Sequence, residues 1–228
     1  SPEANRKWVH CLVGLSVSAS PLIFSSNLQP MTLAVIFIIL NALALKEEGF
    51  KGIHSQGRVS YGTVFFPIAY LSLVLGFWDF PEFMIISLLI LAISDPLAAQ
   101  VGQSTPLPSK FKIWEDEKTI QGTIAFFISA FMIVYMSAHF LLDHSNNYVL
   151  GLALFTASGA TIAEITSCRG TDNLSVPIVS ILLMIGFLDN FIFFSELPDQ
   201  FAFSIYSLFF VIIIFSIAYK FRSLSMSG

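Results

Sequence analysis

The chain has 228 residues, 55% of them hydrophobic and only 11% charged, where a soluble domain carries roughly 25% charge. So few charges cannot cover the surface of a soluble protein of this length, and a net charge of −4 leaves no electrostatic footprint for nucleic acid. Cys11 and Cys168 stand in apolar stretches without motif spacing, which reads as reduced thiols rather than a disulfide or a metal site.

A bilayer core of about 30 Å takes about 20 apolar residues as helix. On that criterion the sequence predicts helices over 8–26, 30–46, 61–78, 82–101, 120–142, 148–168, 174–190 and 201–220. The charged start Arg6-Lys7 leads straight into the first of these, so a cleaved signal peptide is not expected. The seventh opens on Asp172-Asn173 and closes on Asp189-Asn190, the most polar boundaries of the set. Ten-residue segments of alternating polarity are absent, which argues against an outer-membrane barrel. The expected fold is all-α, a polytopic transmembrane bundle of about 8 (7–9) helices.

Charge placement predicts sidedness. With the N-terminus inside, the inward segments are 1–7, 47–60, 102–119, 169–173 and 220–228, give or take a residue. They hold Arg6, Lys7, Lys46, Lys51, Arg58, Lys110, Lys112, Lys118, Arg169, Lys220 and Arg222, which is every Lys and Arg in the chain. The outward turns Ser25–Gln29, Asp79–Pro81, Asp143–Asn147 and Asp189–Gln200 hold none. This split fits both termini on the cytoplasmic side. The two long inward loops also gather Gly49, Gly52, Gly57 and Gly62, and Gly102, Gln103, Ser104 and Ser109. They are functional candidates or plain topogenic connections.

Three carboxylates interrupt the apolar pattern. Asp95 ends the run Ile85–Ile93 and is followed by Pro96, which removes a backbone donor and loosens the helix. Glu164 follows Ala160-Thr161-Ile162-Ala163, with no cation near it in sequence before Arg169. Asp172-Asn173 precede Leu174-Ser175-Val176-Pro177. A carboxylate in a bilayer costs several kcal/mol unless paired or hydrated, so each is a functional candidate; the competing role is a helix cap at the interface. Carboxylates with Lys118 on one side of the membrane suit Mg²⁺, which is held by one or two carboxylates plus substrate phosphates. Proton-coupled transporters place carboxylates in helices too. The chain lacks a P-loop, a kinase glycine-rich loop with its catalytic H-R-D, a G-x-S-x-G elbow and zinc spacings.

Five blocks in order then carry a resemblance. Ser94-Asp95-Pro96-Leu97-Ala98-Ala99-Gln100-Val101-Gly102 and Glu117-Lys118-Thr119-Ile120-Gln121-Gly122-Thr123-Ile124-Ala125-Phe126-Phe127 resemble the paired signature of the membrane CTP-dependent lipid-alcohol kinases, the group of dolichol kinase and phytol kinase. Glu164 with Asp172-Asn173-Leu174-Ser175-Val176-Pro177 is similar to that family's third block. Arg6-Lys7-x-x-His10 and Tyr61-Gly62-Thr63-Val64-Phe65-Phe66-Pro67 are similar to its opening and to the start of its third helix. Ser94 stands where the family usually has Gly, Gln121 where it usually has Glu, and Thr119 where Ser is common. The related phosphatidate cytidylyltransferases, which make CDP-diacylglycerol, carry a C-terminal signature that this chain lacks.

The resemblance implies a single integral membrane kinase-like domain over 1–228. It would phosphorylate a long-chain isoprenoid alcohol with CTP or another NTP and Mg²⁺ at the cytoplasmic face. On this reading Asp95, Lys118, Glu164 and Asp172 are catalytic. Asp95 and Asp172 coordinate Mg²⁺, with Asn173 as a neutral oxygen ligand or support. Lys118 offsets the triphosphate, and the backbone amides at Gly122-Thr123, opening a helix, donate to phosphate oxygens. Gly102 belongs to the nucleotide-binding set, and Arg6, Lys7 and Arg58 are secondary phosphate candidates or topogenic charges. Glu164 or His10 takes the hydroxyl proton; a carboxylate in a partly apolar site has a pKa raised toward neutrality. Phe-rich helices, drawing on 24 Phe, would line a groove for the isoprenoid chain or simply pack and face lipid. The expected partners are the nucleotide, a lipid alcohol from the bilayer and the membrane itself, with room for a homodimer and no nucleic acid. The alternatives are a phosphatidate cytidylyltransferase and an ion-coupled transporter relaying through Asp95 and Glu164.

Overall fold

The computed structural model describes residues 2–47, 61–114, 116–142 and 145–192, with side chains over 9–45, 61–114, 116–142 and 145–187. Arg58 and the predicted 201–220 helix lie outside the described residues, as do the side chains of Arg6 and Lys7.

Nine helices occupy the described segments: α1 (Pro2–Ser18), α2 (Ser20–Ile23), α3 (Leu28–Glu47), α4 (Gly62–Phe77), α5 (Pro81–Leu89), α6 (Asp95–Ser104), α7 (Ile120–Leu141), α8 (Asn146–Ile165) and α9 (Asp172–Ile192). Every predicted helix that falls within them is present. Four segments are long and apolar enough to cross a bilayer, Leu28–Leu45, Pro81–Ser104, Ile120–Leu141 and Asn146–Ile165, and they make the chain a membrane protein. Shorter apolar helices cover Val9–Ser18, Gly62–Phe77 and Asp172–Phe187.

Two predicted spans are broken, each at a proline. The 8–26 segment ends its first helix at Ser18 and restarts as α2 with Pro21 in the first turn, where a missing N–H costs nothing. The 82–101 segment passes through a π-helical turn, Ile90–Ser94, between α5 and α6. Pro96 has no N–H to return to the Ala92 carbonyl, and the wider turn takes up the mismatch. The 102–119 connection was expected as loop, yet it contains an antiparallel hairpin, β1 (Lys110–Lys112) with β2 (Glu117–Thr119), pairing Phe111 with Lys118. The fold is therefore mostly helical rather than purely so.

Helix spacing explains the core. Phe126, Ala130, Val134 and Ala138 recur every fourth residue on α7 and are all fully buried, which forms one stripe down the helix. Small residues on α8 (Ala153, Ala157, Ala160) let neighbouring helices approach closely. Gly159 sits under Leu183 of α9, and Gly14 of α1 lies against Ala92 in the π-turn. By contrast α3 exposes Leu33, Ile36, Phe37, Leu40 and Leu43, the apolar outer surface that a bilayer requires.

Candidate active site

One end of the bundle gathers the start of α4, the end of α6, the hairpin, the start of α7, the end of α8 and the start of α9. Direct contacts tie several of them together. The Tyr61 N–H donates to the Arg169 carbonyl at 2.9 Å, and the Arg169 N–H donates to Asp116 Oδ2 at 2.8 Å. A Cβ on Gly122 would stand 2.8 Å from the Ala98 carbonyl oxygen, and one on Gly102 would stand 2.5 Å from Thr119 Oγ1. The His10 ring meets Phe66, one turn into α4, edge-on at 5.5 Å. The N-terminal half of α1 therefore reaches the same region.

Lys118 is at the centre. Its side chain is 17% exposed and that of Glu164 only 7%. The Lys118 ammonium donates to Glu164 Oε1, to the Glu164 carbonyl oxygen at 3.0 Å and to Ser167 Oγ at 3.1 Å. An ammonium has three N–H donors, so all three are engaged. Burial by itself would make Lys118 easier to deprotonate. The charge of Glu164, then that of Asp172, then the hydrogen bond to Glu164 and the charge of Asp95 outweigh it and push the pKa above the ordinary 10.5. Asp95, Glu164 and Asp172 are thus all close enough for Lys118 to feel their charge, although they come from three different helices.

The local sequence explains each placement. Asp95 opens α6 at the π-turn and Asp172 opens α9, where an acid is favoured by the helix dipole. Asn173 Nδ2 donates to the Gly170 carbonyl at 3.3 Å and to Asp172 Oδ1 at 3.1 Å. Its Oδ1 is buried with no partner, and Pro177, lacking an N–H, cannot return a hydrogen bond to the Asn173 carbonyl. Thr123 Oγ1, Glu164 Oε2 and Ser175 Oγ are likewise buried without partners in these segments, as is Ser94 Oγ in the π-turn next to Asp95. Buried polar atoms are normally satisfied, so each of these oxygens is open to a polar ligand. Among the described residues no three His, Cys, Asp or Glu side chains form a metal-ligand group. Asp95 and Asp172 are two carboxylates, the number Mg²⁺ takes when phosphates and water complete its shell.

Two expectations change. Glu164, which has no cation near it in sequence, has Lys118 from 46 residues away. The Gly122 amide does not stand open at the α7 N-terminus, because Thr119 caps the helix and accepts that N–H at 3.1 Å. The Ile120 amide is taken as well, by the Ser109 carbonyl at 2.9 Å. Gly122 and Gly102 instead permit close approach of α6 to Thr119 and α7. Gln121 Oε1 accepts the Ser109 N–H at 3.1 Å. Ser167 and Asp116 were not legible as site residues. A single serine after a helix end and one acid among Glu115-Asp116-Glu117 carry no motif.

Comparison with known proteins follows the same direction. The chain is 33% identical over 135 residues to a phytol kinase of Synechocystis sp., covering 58% of this chain and 56% of that protein. It is 28% identical over 190 residues to a probable chloroplastic phytol kinase of Glycine max, covering 78% and 63%. An uncharacterized protein of Methanocaldococcus jannaschii is 26% identical over 186 residues, covering 78% and 90%. The chain spans less than two thirds of the length of these two phytol kinases. No protein-family model and no solved structure matches it. The chain is thus similar to phytol kinases over most of its length.

Proposed function

We propose that this protein transfers the terminal phosphoryl group of CTP, or of another nucleoside triphosphate, to the hydroxyl of a long-chain isoprenoid alcohol of the polyprenol, phytol or geranylgeraniol type, at the cytoplasmic face of its membrane. The observation that carries the reading is the Lys118–Glu164 pair, whose ammonium also feels the charges of Asp172 and Asp95. The phytol kinases among the relatives supply the substrate class. The confinement of every Lys and Arg to the inward segments supplies the face.

The donor set suits Mg²⁺. Asp95, Asp172 and Asn173 Oδ1 would hold it, and the bound ion would neutralise charge on the phosphate oxygens. The chain's own residues do the rest by position, since phosphoryl transfer needs alignment and charge compensation more than covalent chemistry. Lys118 keeps Glu164 fixed through Oε1 and leaves Oε2 without a partner. Glu164 Oε2 accepts the hydrogen bond of the substrate hydroxyl and takes its proton as the alcohol oxygen bonds to phosphorus and the nucleoside diphosphate departs. His10 is the second proton acceptor within the region. Arg6, Lys7 and Arg58 are secondary phosphate contacts, and the Thr123 hydroxyl is the polar group left at the α7 start once Gly122 is capped.

The test is to incubate the full chain in detergent or nanodiscs with CTP, ATP, GTP or UTP, labelled in separate preparations at the α or the terminal phosphate. The acceptors are phytol, geranylgeraniol, farnesol, polyprenols, diacylglycerol and phosphatidate. A terminal-phosphate label on a lipid alcohol supports the kinase. An α-label on lipid with release of pyrophosphate from phosphatidate identifies a cytidylyltransferase instead.

A further inference from the structure

Asp116 stands at the bend just before β2, two residues from Lys118, and both side chains reach the end of α8 and the turn after it. Glu117 between them pairs with Lys110 at 3.2 Å in the open. Lys118 takes Glu164 and Ser167, and Asp116 Oδ2 takes the Arg169 N–H at 2.8 Å. The other side of Arg169 is also held, its carbonyl accepting the Tyr61 N–H at 2.9 Å.

The peptide so gripped is unusual. Arg169 has φ 50° and Gly170 φ 90°, a left-handed corner natural for glycine but adopted by few residues with a side chain. This corner turns the chain from α8 into Thr171, Asp172 and Asn173. Within it Cys168 N–H donates to Thr171 Oγ1 at 3.0 Å, and the Gly170 carbonyl receives Asn173 Nδ2. The direction in which α9 begins, and so the place of Asp172 and Asn173 relative to Lys118, depends on the corner being held.

We infer that Asp116 is a positioning residue for the phosphoryl-transfer site, fixing the left-handed Arg169 corner so that Asp172 and Asn173 face Lys118. The inference rests on the kinase reading for its kinetic consequence and on geometry alone for its structural one.

Two readouts on the full-length protein separate these. In hydrogen exchange, Asp116→Ala should speed exchange of the Arg169 amide about tenfold, as loss of a part-buried charged acceptor does, while the α7 core stays protected. Asp116→Asn, which keeps an acceptor oxygen, should stay close to wild type. In kinetics, Asp116→Ala should raise the KM for nucleotide about tenfold at a kcat within about twofold. The same change should matter less in an Arg169→Gly background, where the corner no longer forces a side chain into the left-handed region. Unchanged exchange at Arg169 in Asp116→Ala would overturn the inference. So would a kcat that falls in step with the folded fraction at constant KM, with no relief from Arg169→Gly. If the wild type phosphorylates no alcohol, the kinase reading fails and the exchange experiment still decides the clamp.

Discussion

Lys118 and Glu164, 46 residues apart, form one buried pair in which the lysine ammonium spends all three of its donors on the end of α8. Removing either partner leaves a charge in a low-dielectric place, which costs about 3–5 kcal/mol where burial is deep. Lys118→Ala should therefore lower the unfolding midpoint as well as turnover. Lys118→Met with Glu164→Gln should recover much of the stability but none of the activity. Thermal unfolding of the wild type, Lys118→Met, Glu164→Gln and the double variant in one detergent measures this; additive losses in the double variant would deny the coupling.

The same pair predicts a pH dependence. The folded pKa of Lys118 lies above its unfolded 10.5, so its contribution to stability is complete below pH 10.5 and disappears as pH rises through the folded value. Stability should show no Lys118-dependent change from pH 7 to about pH 10, then an alkaline fall that is absent from Lys118→Met. Melting curves between these limits in both proteins check it.

The glycines at the α6–α7 contact give a contrast set. Gly122→Ala places a methyl 2.8 Å from the Ala98 carbonyl, a backbone atom that moves only with α6, and should cost about 1–3 kcal/mol. Gly102→Ala meets the Thr119 hydroxyl, the cap of α7, and should loosen the hairpin. Gly76→Ala meets nothing within 4 Å and should stabilise α4 by about 0.5–1 kcal/mol. Denaturation midpoints ranked in any other order would contradict this packing.

Sidedness can be read with a thiol. Cys168 lies half-buried in the α8–α9 turn and is not in a disulfide. In a Cys11→Ser background a membrane-impermeant maleimide should label Cys168 from the cytoplasmic side alone. Labelling from the opposite side would reverse the orientation.

Part of this fold and site is legible in the sequence. The helices were legible because apolar runs of bilayer length are a one-dimensional signal, and the loosening at Pro96 was legible because proline lacks an N–H; it appears as the π-turn Ile90–Ser94. Asp95, Lys118, Glu164 and Asp172 were legible as ionisable residues in the wrong solvent. Their mutual arrangement was not, because Lys118 meets Glu164 only after α7 and α8 fold back on each other. The hairpin escaped notice since Lys110–Lys112 and Glu117–Thr119 are three-residue strands with no apolar alternation. The Gly122 amide is illegible for a related reason: whether a helix N–H is open depends on its cap, and the Thr119 hydroxyl takes it.

The central claim is that Asp95 and Asp172 beside Lys118 form a phosphoryl-transfer site. It is tested most directly by terminal-phosphate label transfer from CTP and Mg²⁺ to phytol or geranylgeraniol, comparing wild type with Asp95→Asn and Asp172→Asn at equal folded amounts. The account predicts lipid monophosphate from the wild type, abolished by EDTA, and background label from both variants with unchanged unfolding midpoints. Substantial transfer by either variant, or none by the wild type with any nucleotide, would contradict it.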